Sequence, residues 1–181
     1  MNRSPTIVTG VALMGAFVLA AAGDPSIDAA KSSIIATFTQ ENVPVDTPFK
    51  SFSGHIEYNA AKPATSKASL VVMTGSIDLG SDDYNAEVRK KSWLDATAYP
   101  QATFVSTSIQ PAGNGRFTAT GTLTLKGRML TVSVPVTVSK VGTATAFDGN
   151  FVISRKTFDI GDPEWNEVVD DKVKVRFHLV E

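Results

Sequence analysis

Residues 117–138 read FTATGTLTLKGRMLTVSVPVTV. Phe117, Ala119, Gly121, Leu123 and Leu125 alternate with Thr118, Thr120, Thr122 and Thr124. Successive side chains of a strand point to opposite faces, so this period of two predicts one apolar face and one hydroxyl-bearing face. Lys126-Gly127-Arg128 then supplies a turn, and Val132, Val134, Val136 and Val138 alternate with Ser133, Pro135, Thr137 and Ser139 on the way back. The stretch predicts a long antiparallel hairpin. Pro135 has no N–H to give to a ladder, which predicts an edge or bulge at that point.

The same period extends outward in both directions. Ile34, Ala36 and Phe38 share a face, as do Leu70 and Val72, while Phe104 lies opposite Thr103 and Val105. Downstream, Phe147, Gly149, Phe151 and Ile153 form an apolar row, and Val173, Val175, Phe177 and Leu179 oppose Lys174, Arg176 and His178. Residues 59–66 and 110–116 read as turn-rich connections. Only residues 82–93, DDYNAEVRKKSW, break the alternation. Acidic residues at their start and basic ones near their end complement a helix dipole, with Tyr84, Val88 and Trp93 as the buried stripe. About eight antiparallel strands and one short helix result. Such a set closes into a barrel or folds as a sandwich, and an eight-stranded barrel is either filled by side chains or wide enough for one small ligand.

Composition narrows the function. A chain of 181 residues supports one domain, and 17 basic against 18 acidic side chains offer no basic block for a phosphate backbone, which argues against nucleic acid as a partner. The absence of cysteine removes disulfides, thiolate metal sites and thiol nucleophiles together. At the N-terminus, Arg3 precedes an apolar run at residues 7–22, IVTGVALMGAFVLAAA, whose small-residue end fits a signal peptidase. The run is shorter than the roughly 20 residues of a comfortable span. Residues 1–22 are therefore read as a cleavable signal peptide and 23–181 as the mature domain, exported to the periplasm with no stable membrane span.

Catalytic signatures are missing. The sequence has no G-x-S-x-G elbow, Walker A loop, H-E-x-x-H helix or G-x-G-x-x-G turn. His55 and His178 are its two histidines, too few and too far apart to argue for zinc, and they read as solvent-facing. Residues 159–171, DIGDPEWNEVVDD, are densely acidic but lack the EF-hand order and read as a polar loop. Arg155 beside it is expected to pair with Asp159 or Asp162, and Trp93 and Trp165 to act as apolar anchors.

Five segments in order then resemble a known family. They are IDAAKSSIIATFTQ and FKSFSGHIEYNAAKP at residues 27–40 and 49–63, KSWLDATAYPQATFVSTSI at 91–109, GTLTLKGRMLTVSVPVTV at 121–138 and GNFVISRKTFDIG at 149–161. Together they are similar to the YceI-like lipid and polyisoprenoid-binding proteins, with the W/F-x-D-x-x-x-Y-P-x-A-x-F, G-x-L-T-L-K-G and I-x-R-x-x-F-x-I-G patterns. Many members carry a histidine after the first strand, where this chain reads ENVPVDTPFK at residues 41–50. The resemblance implies a mainly β, extended eight-stranded antiparallel lipocalin-like barrel whose tunnel holds a long isoprenoid lipid or quinone. Asp95, Tyr99-Pro100, Gly127 and Arg155 match motif positions and read as turns and caps.

A long apolar ligand is held by burial, at about 25 cal/mol per Å2 of apolar surface, so its site needs a greasy lumen and few polar groups. The expected ligand-binding positions are the inward apolar residues Phe38, Leu70, Phe104, Phe117, Leu123, Val134, Phe151 and Phe177, with no catalytic or metal residue and no cofactor. The same pattern fits a filled core. The leading expectation is a non-catalytic carrier of an isoprenoid lipid or quinone, as a monomer or a homodimer. The alternative is a hydrolase or isomerase on a lipidic substrate, using Asp159 or Glu164 at the barrel mouth. A third reading is an adaptor with a filled barrel and a protein-binding outer face.

Overall fold

A computed structural model describes residues 26–181, so the leader read at residues 1–22 lies outside the described residues. In chain order the strands are β1 (Ser33–Gln40), β2 (Val43–Pro48), β3 (Phe52–Glu57), β4 (Lys67–Met73), β5 (Gln101–Gly113), β6 (Arg116–Leu125), β7 (Arg128–Val141), β8 (Ala144–Ser154) and β9 (Lys172–Val180). One helix, α1 (Asp82–Val88), stands between β4 and β5. All nine strands form one antiparallel sheet in the order β2-β1-β9-β8-β7-β6-β5-β4-β3. The ninth strand corrects the expected eight. It is β2, whose Pro44 and Pro48 hide it in the sequence and are tolerated because it is an edge strand. Thr47, fully buried on β2, donates its hydroxyl to Ala36 O at 2.8 Å and fixes that edge to β1.

The central hairpin follows its alternation. β6 and β7 pair from Arg116–Thr137 to Leu125–Arg128, leaving Lys126 and Gly127 as a two-residue loop. Both have positive φ, 48° and 72°, the twist that suits a tight hairpin. Pro135 sits inside the sheet at the end of a ladder. β7 pairs with β8 only from Val136 onward, so the two strands part where proline has no donor. The 110–116 connection is mostly strand: β5 runs to Gly113, and Asn114 and Gly115 alone make the turn. Register shifts between Ser106 and Ser108 and between Pro111 and Gly113 absorb its irregularity, and the first swaps the inward phase from Phe104 to Ile109.

The sheet curls on itself, so that residues of both edge strands, Thr47 and Ile56, line the same interior as Leu123 at its centre. Among the described residues no ladder joins β2 to β3. The chain crosses between them at Phe49, whose N–H donates to Ile34 O and which bridges Ile77. At the other end Ile27 N–H bonds Gly54 O and Asp28 N–H bonds Val180 O, so a short segment straps β3 to β9. No helix among the described residues is long and apolar enough to cross a membrane.

Two apolar clusters cap the interior. One gathers Ile77, Leu94, Leu125, Ile153, Phe158 and Ile160 beside α1, and the other Ile27, Ile34, Ile56, Phe147 and Leu179. The first is closed by residues 155–171 wrapped round Arg155, which is 2% exposed. Its Nε donates to Asp170 O at 3.0 Å, Nη1 to Ile160 O at 2.9 Å, and Nη2 to Val169 O at 2.8 Å and Asn166 Oδ1 at 3.0 Å. The expected ion pair with Asp159 or Asp162 does not form, and Asp159 pairs outward with Arg128. A cage of loop oxygens reaches all three guanidinium nitrogens, which one carboxylate on a left-handed residue (Asp159, φ 53°) that faces away cannot do. Replacing Arg155 with Met leaves these buried carbonyls without donors. The expected cost is about 3 kcal/mol, measured by urea denaturation.

Candidate functional site

The curled sheet encloses a cavity of about 340 Å3 running between the two clusters. All eight residues predicted to face a ligand, Phe38, Leu70, Phe104, Phe117, Leu123, Val134, Phe151 and Phe177, lie on its wall. Phe117, Leu123 and Val134 are buried, whereas the other five are half-buried although they point inward. An inward side chain keeps accessible surface only where the interior is unfilled, so the wall is lined and the space is open.

Glycines account for part of that openness. Gly54, Gly121 and Gly149 stand in the inward phase of β3, β6 and β8, and each lies under a large neighbour. A Cβ on Gly121 would come within 2.6 Å of Phe104 Cζ, and one on Gly149 would strike the Phe177 ring and come within 2.7 Å of Pro135 O. Gly54 makes the same room for Leu70. The absent side chains let these residues lie along the wall instead of filling the interior. At one end Tyr58 packs edge-on to Phe117 and Phe147, with ring centroids 5.8 and 5.6 Å apart.

Polar groups gather at the α1 end. Gln40, Tyr84, Glu87, Trp93, Arg155 and Trp165 all contribute to the cavity wall there. The helix is shorter than the 82–93 pattern predicts. It stops at Val88, whose carbonyl accepts Leu94 N–H, and the like charges Arg89, Lys90 and Lys91 fall in the turn beyond. Tyr84 is 65% exposed, not part of a buried stripe, while Val88 and Trp93 pack on the apolar cluster. Trp93 and Trp165 meet at 5.6 Å with planes tilted by 59°.

Asp78 anchors this end. Its carboxylate accepts Gly80 N–H at 2.9 Å and Asn85 Nδ2 at 3.2 Å and pairs with Lys50 at 3.0 Å, while Asn85 Oδ1 accepts Leu79 N–H. Asn85 lies on α1, so the network fixes the helix over the cavity. No sequence signal marked it, since Asp78 and Asn85 have no motif spacing.

The alternative catalytic carboxylates are elsewhere. Neither Asp159 nor Glu164 lines the cavity, and its one carboxylate is Glu87 on α1. His178 Nδ1 lies 2.7 Å from Asp148 on the outer face, and His55 Nε2 lies 3.4 Å from Glu57. Among the described residues no group of His, Asp or Glu side chains is arranged to hold a metal.

Two outcomes are expected. Gly149→Ala sets a methyl against both the Phe177 ring, which must move toward the lumen, and the Pro135 carbonyl, which has little room to yield, lowering stability by about 1–3 kcal/mol in a denaturant titration. Asp78 gives a pH signature. The Gly80 N–H first, then Lys50 and Asn85, hold its carboxyl down to about 2 from its ordinary 3.8. A folded-state pKa below the unfolded one adds stability above the unfolded value and loses it as pH falls toward the folded value. Asp78→Asn therefore melts below the wild type at neutral pH, and the gap closes between about pH 4 and 2 when Tm is followed by circular dichroism.

The family model for the YceI-like domain matches residues 26–180. A UPF0312 protein of Ectopseudomonas mendocina is 30% identical over 172 residues, covering 88% of this chain and 87% of that one. The crystal structure of BcnA from Burkholderia cenocepacia superposes with a TM-score of 0.83 at 44% identity, covering 86% of this chain and 99% of that one. A polyisoprenoid binding domain from Saccharophagus degradans, implicated in plant cell wall breakdown, shares the fold with a TM-score of 0.71 at 19% identity, over 86% of this chain and 95% of that one. A match across nearly all the described residues, on a curled sheet with an open apolar interior, establishes that the chain belongs to the YceI-like domain family.

Proposed function

We propose that this protein is an exported, non-catalytic carrier that sequesters or transports a long isoprenoid lipid or quinone in the periplasm. The observation that carries the proposal is the open lumen, whose wall is built almost entirely of aliphatic and aromatic side chains. Such a space rewards an insoluble chain for leaving water and offers little to a polar solute. The likeness in fold to a polyisoprenoid binding domain agrees with an isoprenoid as the chain. A carrier needs no nucleophile or acid–base pair, and the cavity wall supplies one carboxylate, on an exposed helix. The apolar run at residues 7–22 supports export.

Extraction of the purified mature chain with organic solvent, followed by mass spectrometry, tests the proposal. The expected result is an isoprenoid lipid in stoichiometric amount from the wild type, and at least tenfold less from Phe151→Asp, which puts a charge in the lumen. Ala119→Phe, an apolar obstruction on the same wall, gives the same loss while sparing solubility. A folded wild-type chain that yields no lipid, and takes up none from quinones or polyprenols, overturns the carrier reading.

A further inference from the structure

The two ends of the lumen differ in their access to water. Among the described residues the wall has two exposed members, Gln40 and Tyr84. Both stand at the α1 end, Tyr84 on the helix and Gln40 bridged to Val169 of the loop beside it. At the other end the wall residues Tyr58, Ser66, Ala68, Ile109 and Val138 are all buried or half-buried. The lumen therefore meets water beside α1 and is blind at the far end.

One side chain spans that blind end. Tyr58 follows β3, an edge strand, yet its ring meets Phe117 of β6 at 5.8 Å and Phe147 of β8 at 5.6 Å between centroids. In the sheet order β6 lies three strand steps from β3 and β8 lies five. Neighbouring strands are about 4.8 Å apart, so contacts this close over so many steps are made through the interior and not along the sheet. Tyr58 is a crossbar of the lumen. Its two partners are buried, and interplanar angles of 78° and 82° are those of edge-to-face pairs, which fix the orientation of the ring. The turn that follows is closed as well: buried Ser66 accepts Asn59 N–H at 3.0 Å, and Asn59 Oδ1 accepts the N–H groups of Ala61 and Lys62.

At about 340 Å3 the lumen is near the low end of the roughly 300–1,000 Å3 of small-molecule sites, so a chain entering beside α1 soon reaches the crossbar. We propose that Tyr58 is the stop that sets how much chain the lumen takes up: an isoprenoid enters tail first, its terminal unit rests against the Tyr58 ring, and any further length stays at the α1 mouth. The proposal rests on the carrier reading and adds the determinant of chain length. Each enclosed unit removes apolar surface from water and tightens binding, whereas a unit held outside the stop adds nothing.

The test measures affinity for neutral prenols of increasing length, from geraniol through farnesol and geranylgeraniol to longer members, on the folded mature chain and on Tyr58→Phe and Tyr58→Ala. In the wild type affinity rises with each unit and then levels off. Tyr58→Phe keeps the ring and the same plateau. Tyr58→Ala moves the plateau to a longer prenol, and the first prenol past the wild-type plateau gains on the order of tenfold. Prenols too short to reach the ring bind Tyr58→Ala as they bind the wild type, which separates a displaced stop from a loosened fold. If Tyr58→Ala does not fold, Tyr58→Leu, which keeps an apolar side chain and removes the ring, is measured in its place. An unmoved plateau, a uniform loss at every length, or a wild type whose affinity keeps rising with length overturns the stop while leaving the carrier reading intact. A wild type that binds no prenol overturns both.

Discussion

A sheet that encloses an empty space must present an apolar inner face and yet not fill it. Strand backbone groups make their hydrogen bonds in the plane of the sheet, to neighbouring strands, so the interior need supply no polar partner, and aliphatic and aromatic side chains can cover it. What keeps that cover thin is the pairing of small with large across strands. Gly121 under Phe104, Gly149 under Phe177 and Gly54 under Leu70 turn bulky groups into cladding. A sheet with Ala or Val at those positions would have the same hydrophobic pattern and a crowded core.

The constraint also dictates where polarity goes. Along the middle of the lumen a buried charge would cost far more than it returns, so charged groups sit at the α1 end. Arg155 is tolerated there because carbonyls of a folded-back loop surround it, and Asp78 because it binds the chain just ahead of α1. Both organise irregular segments that strands cannot stabilise. The result is a polar end and an apolar end, an asymmetry that a simple barrel lacks.

Much of this was legible in the sequence. The alternation from Phe117 to Val138 gave the hairpin, its register and the inward residues, because a strand with one buried face has only one phase that avoids exposing its apolar row. β2 was hidden by Pro44 and Pro48, which read as a break and serve as an edge. The phase change at Ser106 and Ser108 is a bulge, and periodicity cannot carry across one. Arg155 was matched to the nearest carboxylates by proximity in sequence, whereas its cage comes from carbonyls, which every residue has and no pattern marks.

The position of β9 has a kinetic meaning. β3 to β8 form a meander whose pairings are between neighbours in sequence, and β1 with β2 forms a separate hairpin. β9 lies between β1 and β8, and Val180 N–H also meets Ser32 Oγ, 148 positions away. The meander can zip up quickly from local contacts, but no lumen exists until this strand has joined the two parts, and that step bears the loop-closure entropy of nearly the whole domain. Until then the inner faces of both halves are exposed to water. The slow step in folding this protein is therefore also the step that creates its binding site.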